Sequence, residues 1–411
     1  MILLVLIGFL LPWQTRLLLR VPSVQNVAWD FGVISIFVSQ AFLCLYLIFE
    51  IWRNRKKIFH FVAETKKSLR KKIAILLIGF FVIGQLIFSI DRLLTVQWIL
   101  GVLMLVGLGI VLHNKKEVRI PFVAAFIISV VLQALLATMQ LFVGGTFASS
   151  MLGMSAHKAV ESGTAVVEYA GQRFMRAYGG QSHPNIFGGL TLVSLMLFNW
   201  LLTYKKTLGI RKNIIQFVIL VSAALFFSFS RAAWLSLFLW IACLVYARKT
   251  LRESQITMVR WIVGTFALLS VIFFPLVVSR ATGSSKLEQR SITERATDIG
   301  HWGQVIKNHS LFGTGLGAYT AALSHAAGDR RVPVHNAFLL FIAEIGFVGV
   351  MTLVLSAIVL RLRFVWKMEY VVFLPIILFD HYLLSLWSGQ ILLAGFLFQI
   401  FETGDNEVVS S

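Results

Sequence analysis

The sequence predicts an all-α polytopic membrane protein with about twelve transmembrane helices and a large extracytoplasmic loop containing short helices. Composition is the first reason. Of 411 residues, 58% are hydrophobic and 13% charged, against about 45–50% and about 25% in soluble domains. A mean hydropathy of +0.83 over that length excludes a water-soluble chain. The second is the recurrence of apolar runs near the roughly 20 residues a helix needs to cross a bilayer, with none of the alternating segments of a membrane barrel. The third is the segregation of cations. On a soluble protein, 37 Lys and Arg against 18 Asp and Glu would suggest nucleic acid; here the surplus sorts by loop, which reads as topology and not as a nucleic-acid partner.

In chain order the spans fall near 2–12, 31–52, 73–90, 94–112, 120–143, 185–204, 213–229, 232–247, 261–278, 336–360, 370–388 and 391–402. The first and last are short. The opening MILLVLIGFLL lacks the basic segment and cleavage site of a signal peptide, so it reads as a retained span. Loops 53–72, 113–119, 205–212, 248–260 and 361–369 carry 23 of the 37 Lys and Arg. Alternation of twelve spans puts all five on one face, which the positive-inside rule makes cytoplasmic. Both termini are then cytoplasmic. The chain divides into N-terminal membrane helices (1–143), an extracytoplasmic loop (144–184), helices around an SFSRAAW hairpin (185–278), a large extracytoplasmic loop (279–335), and C-terminal helices with a short tail (336–411). Within the large loop, Ile292, Ala296, Ile299, Val305 and Ile306 recur at helical spacing. Cys44 and Cys243 lie in apolar runs and provide no disulfide framework.

The stretch 213–247 is barely long enough for two helices, so its turn must lie near Ser228, Ser230 and Arg231. Arg231 then sits at a helix N-terminus, where free amides and the dipole favour an anion, and a guanidinium there can bind phosphate bidentately. An arginine snorkelling at a hairpin turn is the equally weighted alternative. A second outer constellation is FMRAYGGQSHPNIFGG (174–189), with Arg176 before a glycine pair and His183, Pro184 and Asn185 leading into a span. Taken by itself, an ordinary capped helix start explains it. A third is RRVPVHNAFLLFIAEIGFVG (330–349). There His335, with Asn336 behind it and Arg330 and Arg331 before it, can act as a general base or a hydrogen-bond donor; a lone interfacial histidine is more often structural. Glu344 lies about 12 Å deeper at 1.5 Å per residue and should face protein or water. Asp380 and His381 fall near mid-depth of the eleventh span, where ionisable groups are costly and functional or cavity-lining.

No Walker motif, HExxH or GxSxG occurs, and the outer loops hold no acidic pair at metal-ligand spacing. GTGLG is not the dinucleotide fingerprint. An enzyme here uses neither ATP nor a tightly held metal or cofactor, so its substrate arrives activated.

Together, SFSRAAW (228–234), GGQSHPNIFG (179–188), and GTGLGAY (313–319) followed by VHNAFLLFIAEIGFVG (334–349) resemble the O-antigen ligase/polymerase family of bacterial envelope glycosyltransferases. The resemblance covers roughly 170–350, and the large loop between the ninth and tenth spans fits it. It implies transfer of a glycan from a polyprenyl-pyrophosphate carrier to a hydroxyl of a glycan, lipid or protein acceptor at the outer membrane face. By that analogy Arg231 and Arg176 hold the pyrophosphate and His335 acts beside the acceptor or the scissile bond; His183, Asn185, Asn336, Arg330, Arg331 and Ser230 are further candidates for substrate contact. Charge stabilisation of a leaving pyrophosphate is the main catalytic need, which arginines at a membrane-level helix end suit. Within the family, repeat-unit polymerases and protein O-oligosaccharyltransferases share the pattern. A secondary transporter or flippase for lipid-linked glycans is the alternative from another class, and it would favour broken helices and functional charges near the midplane. A structural scaffold gives the three outer motifs no reason.

Overall fold

The computed structural model describes residues 1–24, 26–56, 68–204, 212–283, 286–323, 331–361, 368–395 and 397. Among these described residues, six helices are long and apolar enough to cross a membrane: α3 (Leu69–Phe88), α4 (Arg92–Asn114), α5 (Lys116–Val143), α6 (Pro184–Tyr204), α9 (Glu253–Ile272) and α12 (Ala337–Leu360). Shorter apolar helices accompany them: α1 (Ile2–Leu10), α2 (Val38–Arg53), α7 (Lys212–Phe227) and α8 (Arg231–Tyr246). The chain is thus a mostly helical membrane protein. Below, "outer" means the end that the charge pattern assigns to the extracytoplasmic side.

Burial orders the bundle. In α6, 94% of the apolar window is buried, against 11% in α3, so α6 is the axis and α3 faces lipid. Around α6 pack α5, α7 and α8, with Trp200 and Trp240 enclosed. Helices in lipid gain little from apolar burial as such and associate through close packing and hydrogen bonds. The buried polar side chains supply those bonds. Gln255 Nε2 donates to Asn199 Oδ1 at 3.0 Å, Gln133 Nε2 to the Pro12 carbonyl at 2.8 Å, and Gln140 Nε2 to the Gly179 carbonyl at 2.8 Å.

Four segments differ from the sequence reading. Among the described residues four two-stranded antiparallel ladders, including β2 (Ser23–Val24) with β3 (Val27–Ala28) and β5 (Gly145–Thr146) with β6 (His157–Lys158), interrupt the expected all-helical pattern. In one, β1 (Arg16–Arg20) pairs with β4 (Ile34–Phe37), so the span expected from 31 becomes helical only at Val38. The β-branched alternation in Val33, Ile34 and Ile36 favours a strand there. In another, β7 (Val166–Tyr169) pairs with β8 (Gln172–Met175) in the loop before α6. The ninth span is likewise broken: α9 ends at Ile272 and α10 (Phe274–Thr282) restarts with Pro275 in its first turn, where the missing amide is tolerated. Finally, the expected continuous helix 370–388 is a series of short pieces, including α13 (Leu374–Phe379) and α14 (Tyr382–Ser385), before a further helical stretch at 387–395. Asp380 and His381 occupy the break, with Asp380 extended at φ −151°, and not the middle of an intact helix.

The large loop contains the expected surface helix, α11 (Lys286–Asn308). Its orientation is the surprise. Ile292 and Ile299 of the expected apolar stripe are each 54% exposed. The face turned inward carries Glu288, Ser291, Arg295, Asp298, Trp302 and Val305.

The GTGLGAY segment docks on a break in α12. Gly346 has φ 64° and ψ 179°, opening the helix ladder. Thr314 and Gly315 amides donate to the Ala343 and Glu344 carbonyls, while Phe347 and Val348 amides donate to Ser310 and Leu311. Any side chain at Gly313 (φ +73°) would place its Cβ 2.2 Å from the Glu344 carbonyl oxygen. Glu344 is buried, as its depth required, and its carboxyl accepts from the Gly317 and Tyr319 amides. The glycine motif therefore seals a broken helix, a backbone role.

Candidate active site at the outer end of the bundle

The turn between α7 and α8 organises the site. Phe229 has φ +45°, reversing the chain in three residues, and Ser230 caps α8 by accepting from the Ala233 amide at 3.4 Å. The carbonyls at the end of α7 carry the negative end of its dipole, and donors from the loop before α6 and from α10 meet them. Ala177 N–H donates to Phe227 at 2.8 Å, Arg176 Nε to Ser228 at 2.7 Å and Arg280 Nε to Phe229 at 2.9 Å. Arg231, the first residue of α8, turns its guanidinium toward the same place. Its Nη2 lies 3.0 Å from Glu288 Oε2, and the other Glu288 oxygen pairs with Arg280.

Arg295, two turns further along α11 than Glu288, completes the set. Its Nε is buried with no hydrogen-bond partner. The four guanidiniums act on one another: burial lowers Arg176 to about 10 and pushes Arg280 down, with neighbouring Arg231 and Arg295 adding to both. Arg231 and Arg295 are also lowered, chiefly by burial. A guanidinium stays protonated through such shifts, so among the described residues the cluster holds several desolvated charges that pair directly with Glu288, with Asp380 and Asp298 acting on Arg176 and Arg295 from further off. An anion placed among them would be strongly favoured.

A continuous path of contacts joins this cluster to His335. Arg176 Nη2 donates to Asn185 Oδ1 at 2.5 Å, and Asn185 Nδ2 donates to Asp380 Oδ2 at 2.7 Å. The adjacent His381 packs edge-on against His335, with ring centroids 5.3 Å apart. His335 Nδ1 lies 2.6 Å from Asp298 Oδ2. His183 Nδ1 accepts from the Asn185 amide at 3.1 Å, and burial together with the Arg176 charge holds His183 down to about 3, neutral at working pH.

The other sequence candidates divide. Asn336 caps α12, its Oδ1 accepting from Leu339 at 2.9 Å and its Nδ2 donating to the Leu378 carbonyl at 3.1 Å, which accounts for its polar atoms as the cap accounts for Ser230. Arg331 lies apart, stacked over Trp29 at 5.5 Å. Arg330 lies outside the described residues. Sequence reasoning did not single out Arg280, Glu288, Arg295 or Asp298. The signal was the spacing of Glu288, Arg295 and Asp298, a seven-residue step then a three-residue one, which aligns ionisable groups on one face of a helix.

Below the site runs an apolar cavity of about 660 Å³, lined by Trp98, Val102, Phe338, Phe341, Leu384 and Leu393 among others. Its wall includes Ala337, Leu383 and Leu384, neighbours in sequence of Asn336 and His381. At its far end stands His113, fifteen residues along α4 from Trp98, about 22 Å away at helical rise.

Residues 216–354 match the family model described as O-Antigen ligase. The matched stretch, about a third of the chain, contains Arg231, Arg280, Glu288, Arg295, Asp298 and His335 and excludes Arg176, Asn185 and Asp380. No curated protein and no solved structure matches the chain.

Proposed function

We propose, from the match of residues 216–354 to the O-Antigen ligase family model, that the chain is an inner-membrane glycosyltransferase of the O-antigen ligase/polymerase type with its site at the extracytoplasmic face, moving a glycan from a polyprenyl-pyrophosphate carrier to an acceptor hydroxyl. The carrying observation is the gathering of Arg176, Arg231, Arg280 and Arg295 in contact continuity with His335 at the outer end of an apolar bundle.

In this reading the pyrophosphate enters among the guanidiniums and the polyprenyl tail lies in the apolar cavity beside Phe338 and Leu384. Arg176, whose Nε and one Nη are committed to Ser228 and Asn185, anchors the pocket. Arg231 and Arg295 reach the ligand, and Arg280 shares Glu288 with Arg231. His335 takes the proton from the acceptor hydroxyl. The freed oxygen attacks the anomeric carbon, the bond to the pyrophosphate oxygen breaks, and the configuration inverts. The leaving group departs as polyprenyl pyrophosphate with its charge held by arginines, which is where preorganised charge lowers the barrier most. The proton then passes from His335 to solvent.

Reconstitution with a polyprenyl-pyrophosphate glycan and a panel of hydroxyl acceptors, without ATP or divalent metal, tests this. Wild type should form a new glycosidic bond; Arg231→Ala and His335→Ala, folded normally, should not. The breaks at Gly346 and Asp380 favour a second reading, a flippase for the same lipid. Movement of intact carrier lipid with no bond formed would establish it in place of transfer.

A further inference from the structure

His335 and Asp298 come from separately anchored elements, and the contact between them is directional. His335 lies in the turn before α12, which Asn336 fixes at both ends through Leu339 and Leu378. Asp298 projects from α11, whose next inward turn is pinned by Trp302 Nε1 donating to the Leu339 carbonyl at 2.8 Å. Val305 then sits in a small core with Tyr319, Val334 and Leu340. The carboxylate meets Nδ1 at 2.6 Å with both side chains largely covered, at 30% and 17% exposure. The remaining ionisable neighbours are His381, edge-on to His335, Asp380 beside it, and Arg295 and Tyr319 around Asp298.

A carboxylate is an acceptor only, so its partner nitrogen must carry the proton. That selects the tautomer with Nδ1–H and leaves Nε2 as the lone-pair nitrogen, turned away from Asp298. We propose that Asp298 is the positioning residue that fixes His335 in the tautomer and orientation of a general base. This rests on the glycosyl-transfer reading, in which His335 deprotonates the acceptor hydroxyl. The same logic governs any carboxylate–imidazole pair in nucleophilic catalysis: the acid holds the ring and stabilises the imidazolium that forms, without itself taking the proton.

The test uses the full chain in lipid nanodiscs with a polyprenyl-pyrophosphate glycan and a saturating hydroxyl acceptor. Asp298→Asn can donate to Nδ1 and select the wrong tautomer. It should lower kcat by on the order of 10²–10⁴-fold, the range of general-base catalysis, with the donor KM within about threefold of wild type. Asp298→Glu should recover a measurable part of kcat. In an His335→Ala background, Asp298→Asn should cost nothing further, because two residues acting as one unit are not additive. An Asp298→Asn protein that keeps kcat within about twofold while His335→Ala abolishes transfer would reduce Asp298 to a packing residue and overturn this inference alone. Full activity in His335→Ala would overturn the base assignment and this inference with it. Should Asp298→Asn fold poorly, Asp298→Glu decides, alone and in the His335→Ala background: a proportional loss of residual transfer there as large as in the parent would make Asp298 independent of His335 and also overturn it.

Discussion

At the inner end of the bundle, Lys115 Nζ lies 2.5 Å from Glu50 Oε1 and donates to the Tyr46 hydroxyl at 2.9 Å, while Tyr46 and Asn54 donate to the same carboxylate at 3.0 Å each. At the outer end, Arg231 and Arg280 share the one carboxylate of Glu288, Arg176 is bonded to neutral oxygens, and Arg295 has a buried Nε with no partner. Both networks are ionic and partly desolvated. The inner one is closed, cation matched to anion with hydrogen bonds completing the carboxylate, and joins α2 to the start of α5. The outer one is cation-rich and incompletely paired. Burying unmatched charge is costly, so such a surplus is retained where an anion returns the cost. The difference between the two is the difference between a tie and a site.

The largest effect expected from breaking this contrast is at Arg231. Arg231→Ala should reduce initial transfer rates by about 10²-fold or more, the scale of losing a charge-stabilising donor. Arg231→Lys should recover little, because an ammonium keeps the charge but loses the planar fork. Recovery to near wild-type rates by lysine, in a radiolabelled-glycan assay normalised to folded protein, would show that a point charge suffices and that the fork geometry is immaterial.

How much of this was legible follows from what each signal depends on. The turn at Ser228–Arg231 was legible because length forces it: two helices cannot fit 213–247 without reversing there. The cation pattern and the surface helix at 286–308 follow from local composition. The β1–β4 pairing was not legible because it depends on a partner in another segment, and the β7–β8 hairpin, although it turns locally at Ala170–Gly171 (φ 51° and 77°), was lost because hydropathy averages over alternation. The break at Asp380 was hidden for a similar reason: Asn185, its partner, lies 195 residues away. The inward stripe of α11 is not the apolar set that recurs at helical spacing: Ile292 and Ile299 are exposed, Glu288, Arg295 and Asp298 turn inward, and of the apolar set Val305 and Ile306 pack in the core. That inversion marks the site, since a helix turns its charges inward only where the core presents opposite or ligand-bound charge. GTGLGAY showed the reverse case, a motif that invites a ligand reading and instead closes the helix break at Gly346.

A second, smaller effect separates the networks directly. Glu288→Gln leaves Arg231 and Arg280 without their carboxylate, and loss of one partner of a buried pair costs about 3–5 kcal/mol. The thermal midpoint in detergent should fall, and inorganic pyrophosphate should raise it by more than it raises wild type, because ligand that binds the folded state stabilises by mass action. Glu50→Gln at the inner end should also lower the midpoint, but its pyrophosphate response and its transfer per folded molecule should equal those of wild type. Equal pyrophosphate shifts in wild type and Glu288→Gln would mean that the outer surplus does not meet this anion.

The smallest effect concerns His183, which borders the outer network without carrying its charge. Burial and Arg176 hold it down to about 3 in the folded protein, against about 6.5 when unfolded. The sign follows from proton counting: between those values the unfolded chain binds the extra proton, so protonation favours unfolding. Its contribution is full above about pH 6.5 and is lost progressively as pH falls toward 3. An asparagine can accept the Asn185 amide through its side-chain oxygen and does not titrate. His183→Asn should therefore leave transfer at neutral pH within about twofold and make the fall in thermal midpoint between pH 6.5 and 4 shallower than in wild type. Parallel acid profiles for the two proteins would mean that His183 is not kept neutral by the arginine cluster, and would place it outside the field that distinguishes the outer end from the inner.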